Sequence, residues 1–494
     1  MRKARWLVVG VVVALALSAC GAGSGEPSAV VRSTEPAADG GGGSTAPGDG
    51  SGGQMEPADP QVDEPITPMD DVTVMGSAGG PNSADDVMLA AGLAVQEFWS
   101  RTYPDVYGDE FEELSGGFWT YGPDTPPEDL PPCPGVTSYD DIAVNAFYCP
   151  DADLIAWDRE GLVAPFIDEF GEFGAAIIMA HEFGHAVQGR TGDFDTLPGV
   201  ITELQADCFA GSWIADVVDG GSADFEADID ELDLAVAGQI EIRDAPGSDP
   251  NDPSAHGSGF DRVSSLSDGV FDGASSCADY ATTPPEVTQV PFTADDAATG
   301  GDLGAEELLG LLVPDLDAFY AGLFTEAGEE WDPVDELVLF DPGTDDVSCG
   351  DTSLTPDEAE FAIFYCAPED TVEADATMLL PALEDIGDFA LGSEVARQWA
   401  FSAQVQQGIT ENTRETSLHA DCMTGLYAGD LYFQEDPRER QLSLSAGDLD
   451  EAIISFLAFS GREEDAASPF ERSDAFRTGF AGTVDDCQAI LEGG

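Results

Sequence analysis

Basic side chains are nearly absent from this sequence, and their scarcity limits what the chain can bind. Its 494 residues include only 16 lysines and arginines against 98 aspartates and glutamates, which gives a formal net charge of −82. A surface of this charge repels nucleic acid and anionic lipid, so we expect neither as a partner. Self-repulsion also destabilises the folded state and is screened by salt, which favours a salt-rich environment.

Long apolar segments are also scarce. The run Trp6–Leu17 follows a short positive segment, and beyond it no segment of the sequence is expected to cross a membrane. L-S-A-C at 17–20 resembles a bacterial lipobox. We therefore expect residues 1–20 to be an export signal and Cys20 to carry a lipid that anchors the protein in the cell membrane, facing outside the cytoplasm. Ordinary signal cleavage near Ala19 is the alternative.

Aromatic and large apolar side chains are nearly missing from residues 21–83, which are rich in glycine, serine, proline and aspartate. Such a segment cannot bury enough apolar surface to offset the entropy lost on ordering. It is therefore predicted to be a disordered linker. The chain as a whole is 43% hydrophobic, which is enough for the remaining residues to build a core.

Cysteine is present nine times, and eight cysteines remain when Cys20 is set aside. An even number in an exported chain favours disulfides. The eight form two groups of similar spacing: Cys133, Cys149, Cys208 and Cys277, and then Cys349, Cys366, Cys422 and Cys487. The simplest pairing joins the first two and the last two of each group, although four cysteines allow three connectivities.

Repeated sequence accompanies the repeated cysteine spacing. F-Y-C at 147–149 recurs at 364–366, and A-D-C at 206–208 recurs at 420–422. Segments that recur in the same order over a long stretch indicate copies of one structural unit. The chain is therefore predicted to contain one domain twice in tandem.

The predicted copies cover residues 84–285 and 305–494, with a linker at 286–304. Apolar spacing predicts a mixed α/β fold that is dominated by helices and has a small, disulfide-linked strand region. In the first copy we predict a hairpin or edge strands at Val144–Trp157, and four helices at Asp85–Arg101, Phe173–Gly189, Pro198–Val218 and Asp224–Ile242.

Histidine is scarcer still, with four in the chain, yet two of them lie four residues apart in A-H-E-F-G-H-A-V-Q at 180–188. On a helix, His181 and His185 project from one face, one turn apart, so that both imidazoles can reach a single Zn²⁺. Glu182 lies beside the first of them and can act on a metal-bound water. Two incidental histidines on a helix are the alternative.

A third ligand is expected on the next predicted helix, where Glu203 and Asp207 are also four residues apart. Glu203 can bind the metal and leave a fourth position for water. Asp207 can accept a hydrogen bond from the outer N–H of a metal-bound histidine. These residues predict one Zn²⁺ per chain.

An HExxH motif followed by ExxxD on a second helix is the arrangement of the gluzincins, the thermolysin-like peptidases. More narrowly, the chain resembles the bacterial neutral zinc metallopeptidases through blocks at 146–150, 181–188, 203–213 and 256–258. The resemblance implies a zincin-like fold and a zinc-dependent endopeptidase acting on peptides or proteins, with Glu182 as general base. It also implies that His256 stabilises the oxyanion, although a histidine that merely packs in a loop is the alternative. Ala186 stands where the family pattern has a further histidine.

The second copy is predicted to have lost this site. An alignment on V-Q-G and Q-Q-G places Ala400 and Gln404 at the two histidine positions and Ser417 at the carboxylate position. We therefore expect residues 305–494 to be a non-catalytic domain that packs against the first copy or presents substrate to it.

Two other functions remain open at this point. The protein could be a cell-surface binding or scaffold lipoprotein that no longer turns over a substrate, since one copy has already lost its motif. It could also hydrolyse a non-peptide amide, as peptide deformylases do with an HExxH motif. Those enzymes take a cysteine from an upstream motif as third ligand, and the sequence contains no such motif.

Overall fold

The computed structural model of the protein describes most of the chain that follows the predicted linker. The described residues are Met75, 83–252, 254–294, 296–434, 441–459 and 467–493. The predicted export signal with Cys20, and nearly all of the linker at 21–83, lie outside them and stay predictions. The described part is dominated by helices and contains small sheets and disulfides, as predicted.

The N-terminal half, residues 83–285, contains five helices and three strands. In chain order these are α1 (Ala84–Tyr107), β1 (Gly117–Tyr121), β2 (Ala146–Cys149), β3 (Leu154–Asp158), α2 (Ala164–Thr191), α3 (Gly199–Val218), α4 (Ile229–Glu241) and α5 (Gly259–Asp279). The strands form one sheet in the order β1-β3-β2, in which β3 is parallel to β1 and antiparallel to β2. The predicted hairpin is thus confirmed as β2 and β3.

The C-terminal half, residues 305–493, has more short elements. In chain order they are α6 (Ala305–Ala327), β4 (Glu336–Phe340), β5 (Ser348–Cys349), β6 (Thr352–Ser353), α7 (Pro356–Ala359), β7 (Ile363–Cys366), β8 (Thr371–Asp375), α8 (Leu379–Glu384), α9 (Asp388–Gln406), α10 (Arg414–Tyr432), α11 (Asp448–Phe459), α12 (Pro469–Ala481) and α13 (Val484–Leu491). Its three-stranded sheet has the order β4-β8-β7, with β8 parallel to β4 and antiparallel to β7. Strand order and direction therefore match those of the N-terminal half.

Both hairpins turn through an aspartate with positive φ, which is 48° at Asp153 and 54° at Asp370. Aspartate tolerates this region better than most residues. Each aspartate also accepts a hydrogen bond from a tyrosine of the preceding strand, from Tyr148 Oη at 3.1 Å and from Tyr365 Oη at 2.6 Å. The two hairpins are therefore stabilised in the same way.

The predicted helices of the N-terminal half are present, but their ends differ. Helix α2 continues past Gly189 and ends at Thr191, because Gly192 (φ 85°) supplies the left-handed cap. Helix α3 begins directly after Pro198, as predicted. Helix α4 begins at Ile229 and not at Asp224, because the side chain of Asp228 caps its first turn.

Four disulfides join Cys133 to Cys149, Cys208 to Cys277, Cys349 to Cys366, and Cys422 to Cys487. This is the simplest pairing that the sequence predicted, and each bond lies within one half. The second bond links α3 with α5, and the fourth links α10 with α13. Helices α3 and α5 pack so closely that a Cβ at Gly269 would overlap the carbonyl of Cys208.

One helix among the described residues, α6, is long and apolar enough to cross a membrane by length and composition. From the sequence we expected no segment after Leu17 that could cross a membrane. By length and composition, α6 shows that this expectation was wrong. Every fourth residue of α6 is buried in the core: Leu308, Leu312, Leu316, Tyr320 and Phe324. A helix that packs one face into a protein core meets the same criteria.

The predicted linker at 286–304 begins with residues that are fixed to the N-terminal half. Thr288 and Gln289 are buried, and both of their backbone N–H groups donate to the side chain of Asp261 on α5. Beyond this junction the two halves lie against each other, with α4 and α5 facing α11 and α12. Of the two expectations for residues 305–494, packing against the N-terminal half is the one that these contacts match.

Candidate metal centre

Helices α2 and α3 bring the three predicted metal ligands together. Glu203 Oε2 lies 3.2 Å from His181 Nε2 and 3.5 Å from His185 Nε2. One ligand atom of each residue lies within 4.8 Å of the others, and the exposed fractions are only 3–4%. Two imidazole nitrogens and a carboxylate oxygen that converge in this way are the ligand set of a catalytic zinc site with one open position.

The convergence depends on a close approach of the two helices. A Cβ at Gly184 would lie 2.7 Å from Ala206 Cα, so no larger residue fits between α2 and α3 at this level. Gly184 stands between Glu182 and His185, and Ala206 lies three residues after Glu203. The glycine therefore lets the carboxylate of α3 reach both histidines of α2.

The outer nitrogen of His181 is fixed by a buried ionic network. Its Nδ1 donates to Asp207 Oδ1 at 2.8 Å, as predicted for this aspartate. Arg262 donates to both oxygens of Asp207, at 2.8 and 2.9 Å, and Gln239 Nε2 donates to Oδ1 at 3.0 Å. Burial raises the pKa of Asp207, but Arg262 and His181 outweigh it and lower the pKa to about 2. The carboxylate therefore stays ionised and holds the His181 ring with Nε2 towards Glu203.

His185 is held by a chain of glutamines that was not predicted. Its Nδ1 lies 2.8 Å from Gln188 Oε1, so Nδ1 is the donor and Nε2 is left for a metal. Gln188 Nε2 in turn donates to Thr202 O at 2.6 Å and to Gln205 Oε1 at 3.0 Å. The i, i+3 spacing of His185 and Gln188 on one helix could have indicated this pair. Nothing in the local sequence indicates that Gln239 contacts Asp207.

Glu182, the predicted base, is 2% exposed and is oriented by strand β2. Its Oε2 accepts a hydrogen bond from the backbone N–H of Tyr148 at 2.7 Å. Burial raises the pKa of this carboxyl group, while the nearby His185 and His181 act in the opposite direction. A carboxyl group with a raised pKa beside a metal position is suited to accept and return a proton.

The carboxylates and imidazoles of the cluster shift one another's pKa values. Burial lowers the pKa of His181, but Asp207 and Glu203 outweigh it and raise the pKa to about 10. Burial also disfavours the charged form of Glu203, yet His185 and His181 bring its pKa well below the usual value. Asp207 and Glu203 therefore stabilise positive charge where the ligand atoms meet. The same carboxylates could balance the charge of a divalent cation at this point.

His256 lies on the segment before α5 and is 8% exposed. Its backbone N–H donates to Asp244 Oδ2 at 2.9 Å, and its Nδ1 lies 3.5 Å from Asp244 Oδ1. The next residue, Gly257, packs against α3, since a Cβ at this position would lie 3.2 Å from Leu204 Cδ2. His256 therefore stands beside a residue that contacts the helix carrying Glu203.

An apolar cavity borders His181 between α2 and α4. Its lining includes Phe166, Ile177, Ile178, Leu234 and Ile242. Gln239 also lines it, and the Oε1 of this buried side chain has no hydrogen-bond partner among the described residues. The cavity therefore offers an apolar surface with one hydrogen-bond acceptor.

In the C-terminal half an arginine makes the contacts that His181 makes in the N-terminal half. Arg397 Nε donates to Asp421 Oδ1 at 2.7 Å, and its Nη2 donates to Ser417 Oγ at 2.5 Å. Arg472 donates to both oxygens of Asp421, at 3.1 and 3.0 Å, as Arg262 does to Asp207. A guanidinium thus occupies the place of an imidazole, and a serine that of a carboxylate ligand.

The alignment that placed Ala400 and Gln404 at the histidine positions is wrong by three residues. Gln404 Nε2 donates to Thr416 O at 2.8 Å, the contact that Gln188 makes in the N-terminal half. Counting back from Gln404, Arg397 and Phe401 stand at the histidine positions. Among the described residues of this half, no group that could hold a metal includes a histidine.

Comparisons with known proteins give little further information. No known family profile matches the chain, and no solved structure matches it. Uncharacterized proteins of Mycobacterium tuberculosis and of Mycobacterium bovis are 38% identical to it over 82 residues. The matched segment covers 14% of this chain and 28% of each relative. The chain is thus similar to a short part of mycobacterial proteins whose names state no activity.

Proposed function

We propose that the N-terminal half is a zinc-dependent endopeptidase related to the bacterial neutral zinc metallopeptidases. The observation that carries the proposal is the convergence of His181, His185 and Glu203 within 4.8 Å, each buried. Glu182, which is adjacent to His181 in the sequence, supplies the general base that peptide hydrolysis requires. The donor set and the hydrogen-bond partners behind it carry the fit to zinc.

A bound Zn²⁺ would supply a Lewis acid and lower the pKa of a water ligand to about 7. Tyr148 N–H holds Glu182 by Oε2, so that the carboxylate is oriented to take a proton at its other oxygen and to deliver it to the leaving amine. His256 is proposed to donate a hydrogen bond to the oxyanion, with Asp244 fixing its position.

We further propose that the two halves are tandem copies of one zincin-like domain. The same sheet order, the same hairpin turns, the same disulfide spacing and the matching Asp–Arg pairs support this. The C-terminal copy is then non-catalytic, because Arg397 and Ser417 make the contacts that belong to ligands in the other copy.

Export and a lipid anchor at Cys20 remain part of the proposal. Four disulfides in one chain support an oxidising compartment outside the cytoplasm, where such bonds persist. The low number of basic residues disfavours nucleic acid as a partner. The expected partners are peptides or proteins.

Metal analysis combined with a chelator series tests the proposed function. The purified protein should contain one zinc per chain and cleave casein or a peptide library. Treatment with a strong zinc chelator should abolish cleavage, because the polarised water is lost with the metal, and added Zn²⁺ should restore it. A protein that binds zinc but cleaves no peptide under any of these conditions would favour the non-catalytic binding function.

A second metal site can be built in the C-terminal half if the two halves are copies. The changes Arg397→His, Phe401→His and Ser417→Glu together should raise the zinc content from one to two per chain. They place two imidazoles and a carboxylate in the arrangement of the N-terminal centre, next to the retained Asp421. Arg397→His alone should leave the content at one. A folded triple variant with one zinc would count against the proposed correspondence.

A further inference from the structure

The two halves exchange helix caps. Asp450 on α11 accepts a hydrogen bond from Phe260 N at 2.8 Å, and Asp233 on α4 accepts one from Phe470 N at the same distance. Phe260 and Phe470 are second residues of α5 and α12, where backbone N–H groups have no partner within their own helix. Each half therefore supplies an aspartate to the first turn of a helix in the other half.

The two contacts use matching sequence positions. Phe260 lies two residues before Arg262, and Phe470 lies two residues before Arg472, the arginines that hold the buried aspartate of each half. The two capping aspartates are the third residues of E-L-D-L-A and D-L-D-E-A. In a homodimer, a two-fold axis produces such a pair of reciprocal contacts. Here both contacts lie within one chain.

Apolar and ionic contacts accompany the caps. The Phe260 ring packs edge-on against Phe480 of α12, with the centroids 5.0 Å apart. Arg477 of α12 pairs with Asp268 of α5 at 2.6 Å. The acidic surfaces of the two halves repel each other. At this interface Arg477, one of the few arginines of the chain, lies between the halves and offsets part of that repulsion. Salt screens partly buried pairs less than exposed charges, so raised salt should not separate the halves.

Asp450 also contacts the part of the N-terminal half that supports the candidate metal centre. It is 3% exposed, and its Oδ2 lies 3.1 Å from Nε of Arg243, which follows α4. Its other oxygen caps α5 at Phe260, between His256 and Arg262. Arg262 binds Asp207, and Asp207 orients the ring of His181. A shift of the first turn of α5 would therefore change the position of His181, a proposed metal ligand.

We propose that the C-terminal half is a permanent partner of the N-terminal half, bound through a two-fold-like interface, and that Asp450 is a positioning residue for the metal centre. The role of Asp450 rests on the proposed zinc site, whereas the interface does not. The surface formed by α4 and α5 fits a second domain with the same arrangement of helices. Each half caps a helix of the other half with one aspartate, and one of its own helices is capped by an aspartate of the other half.

Cutting the folded chain between the halves tests the interface. A recognition sequence for a site-specific protease can be placed at the exposed residues 298–300. All four disulfides lie within one half, so the cut leaves the two fragments without a disulfide between them. The fragments should elute together in a one-to-one complex by size-exclusion chromatography at low and at high salt. Elution as two separate fragments overturns the proposed interface.

Asp450→Ala in the full chain tests the positioning role, and Asp233→Ala is the matched control. Both variants remove one of the reciprocal caps, but only the first removes the cap of α5, the helix that carries Arg262, whereas the second removes the cap of α12. Zinc affinity, measured by competition with a chelator of known affinity, should fall about tenfold in Asp450→Ala, the lower end of losses for outer partners of ligands. Asp233→Ala should keep the wild-type affinity. Equal zinc affinities in the two variants overturn the positioning role.

Hydrogen exchange at the Phe260 amide gives a readout that needs no metal. Exchange should be faster in Asp450→Ala, and Asp450→Asn should restore much of the protection because an amide oxygen also accepts a hydrogen bond. Unchanged exchange in Asp450→Ala overturns the cap. If the wild-type protein binds no zinc, the proposed function and the positioning role fail, while co-elution and exchange still decide the interface.

Discussion

Replacing Glu182 by glutamine should abolish peptide cleavage while leaving one zinc bound per chain. Glutamine keeps the size of the side chain and can still accept the hydrogen bond from Tyr148 N, but it cannot take a proton from water. The loss of a positioned general base costs roughly 10²–10⁴-fold in rate. The measurement is the rate of casein or peptide cleavage beside elemental analysis of the same preparation.

The same substitution at an exposed position of α2, before the helix is interrupted at Gly171 (φ 74°), provides the control. Glu169→Gln changes an exposed glutamate of α2 and should leave both the rate and the zinc content at wild-type values. If Glu182→Gln cleaves as fast as the wild type, Glu182 is not the base. If it has lost its zinc, the carboxylate serves the metal and not the proton transfer.

Replacing His185 by alanine should weaken zinc binding by about 10²–10³-fold, a modest share of the total free energy that ligands supply at a zinc site. The change removes one of three ligand atoms, and the helix geometry brings no other side chain to replace it. It also leaves Gln188 Oε1 without its donor in a buried place. Zinc content after dialysis and competition with a chelator measure the effect.

His419→Ala is the matched control, because His419 is the buried histidine of the C-terminal half. Its Nδ1 lies 2.9 Å from Gln404 Nε2, and burial lowers its pKa to about 4, so it already serves as a neutral hydrogen-bonding group. This variant should keep one zinc per chain. Unchanged zinc content in His185→Ala, or two zincs in the wild type, would contradict the proposed centre.

The local parts of the structure could be predicted from the sequence because short-range rules determine them. Helical spacing placed His181 and His185 on one face, and their neighbours on α3 followed from the same spacing. The simplest pairing of the cysteines, one of three that each group allowed, is the one formed. The hairpin of the N-terminal half was predicted from a strand pattern on both sides of a turn.

The error in the alignment of the two halves comes from the predicted end of α2. The prediction ends α2 at Gly189 and aligns this residue with Gly408. In the structure α2 ends at Thr191, and Gly192 follows it with φ 85°. Gly408 has φ 82° and follows α9, so it corresponds to Gly192. The three-residue shift hid Arg397 from the alignment. Glycine alone did not show which of two nearby positions takes the left-handed conformation.

Contacts over long sequence distances could not be predicted from the spacing of residues. Gln239 reaches Asp207 across 32 residues, and Asp450 reaches Phe260 across 190. Gln239 stands in no motif, and Asp450 stands in a repeated stretch that does not indicate its partner. Each is a polar residue of a helix, where it could equally well face solvent. Only the packing of α4 and α11 against their neighbours makes these side chains buried partners.

The buried Arg–Asp pairs limit how this protein can vary through evolution. Arg262 and Arg472 are each almost fully buried against an aspartate, and the chain has few other cations that could replace them. Losing either arginine removes the partner that binds both oxygens of a buried carboxylate and leaves that carboxylate with His181 and Gln239, or with Arg397. Breaking a buried ion pair costs up to about 3–5 kcal/mol. An exchange of one acidic surface residue for another costs little by comparison. We therefore expect the acidic exterior to vary freely among relatives of this chain, and the two buried arginines to be retained.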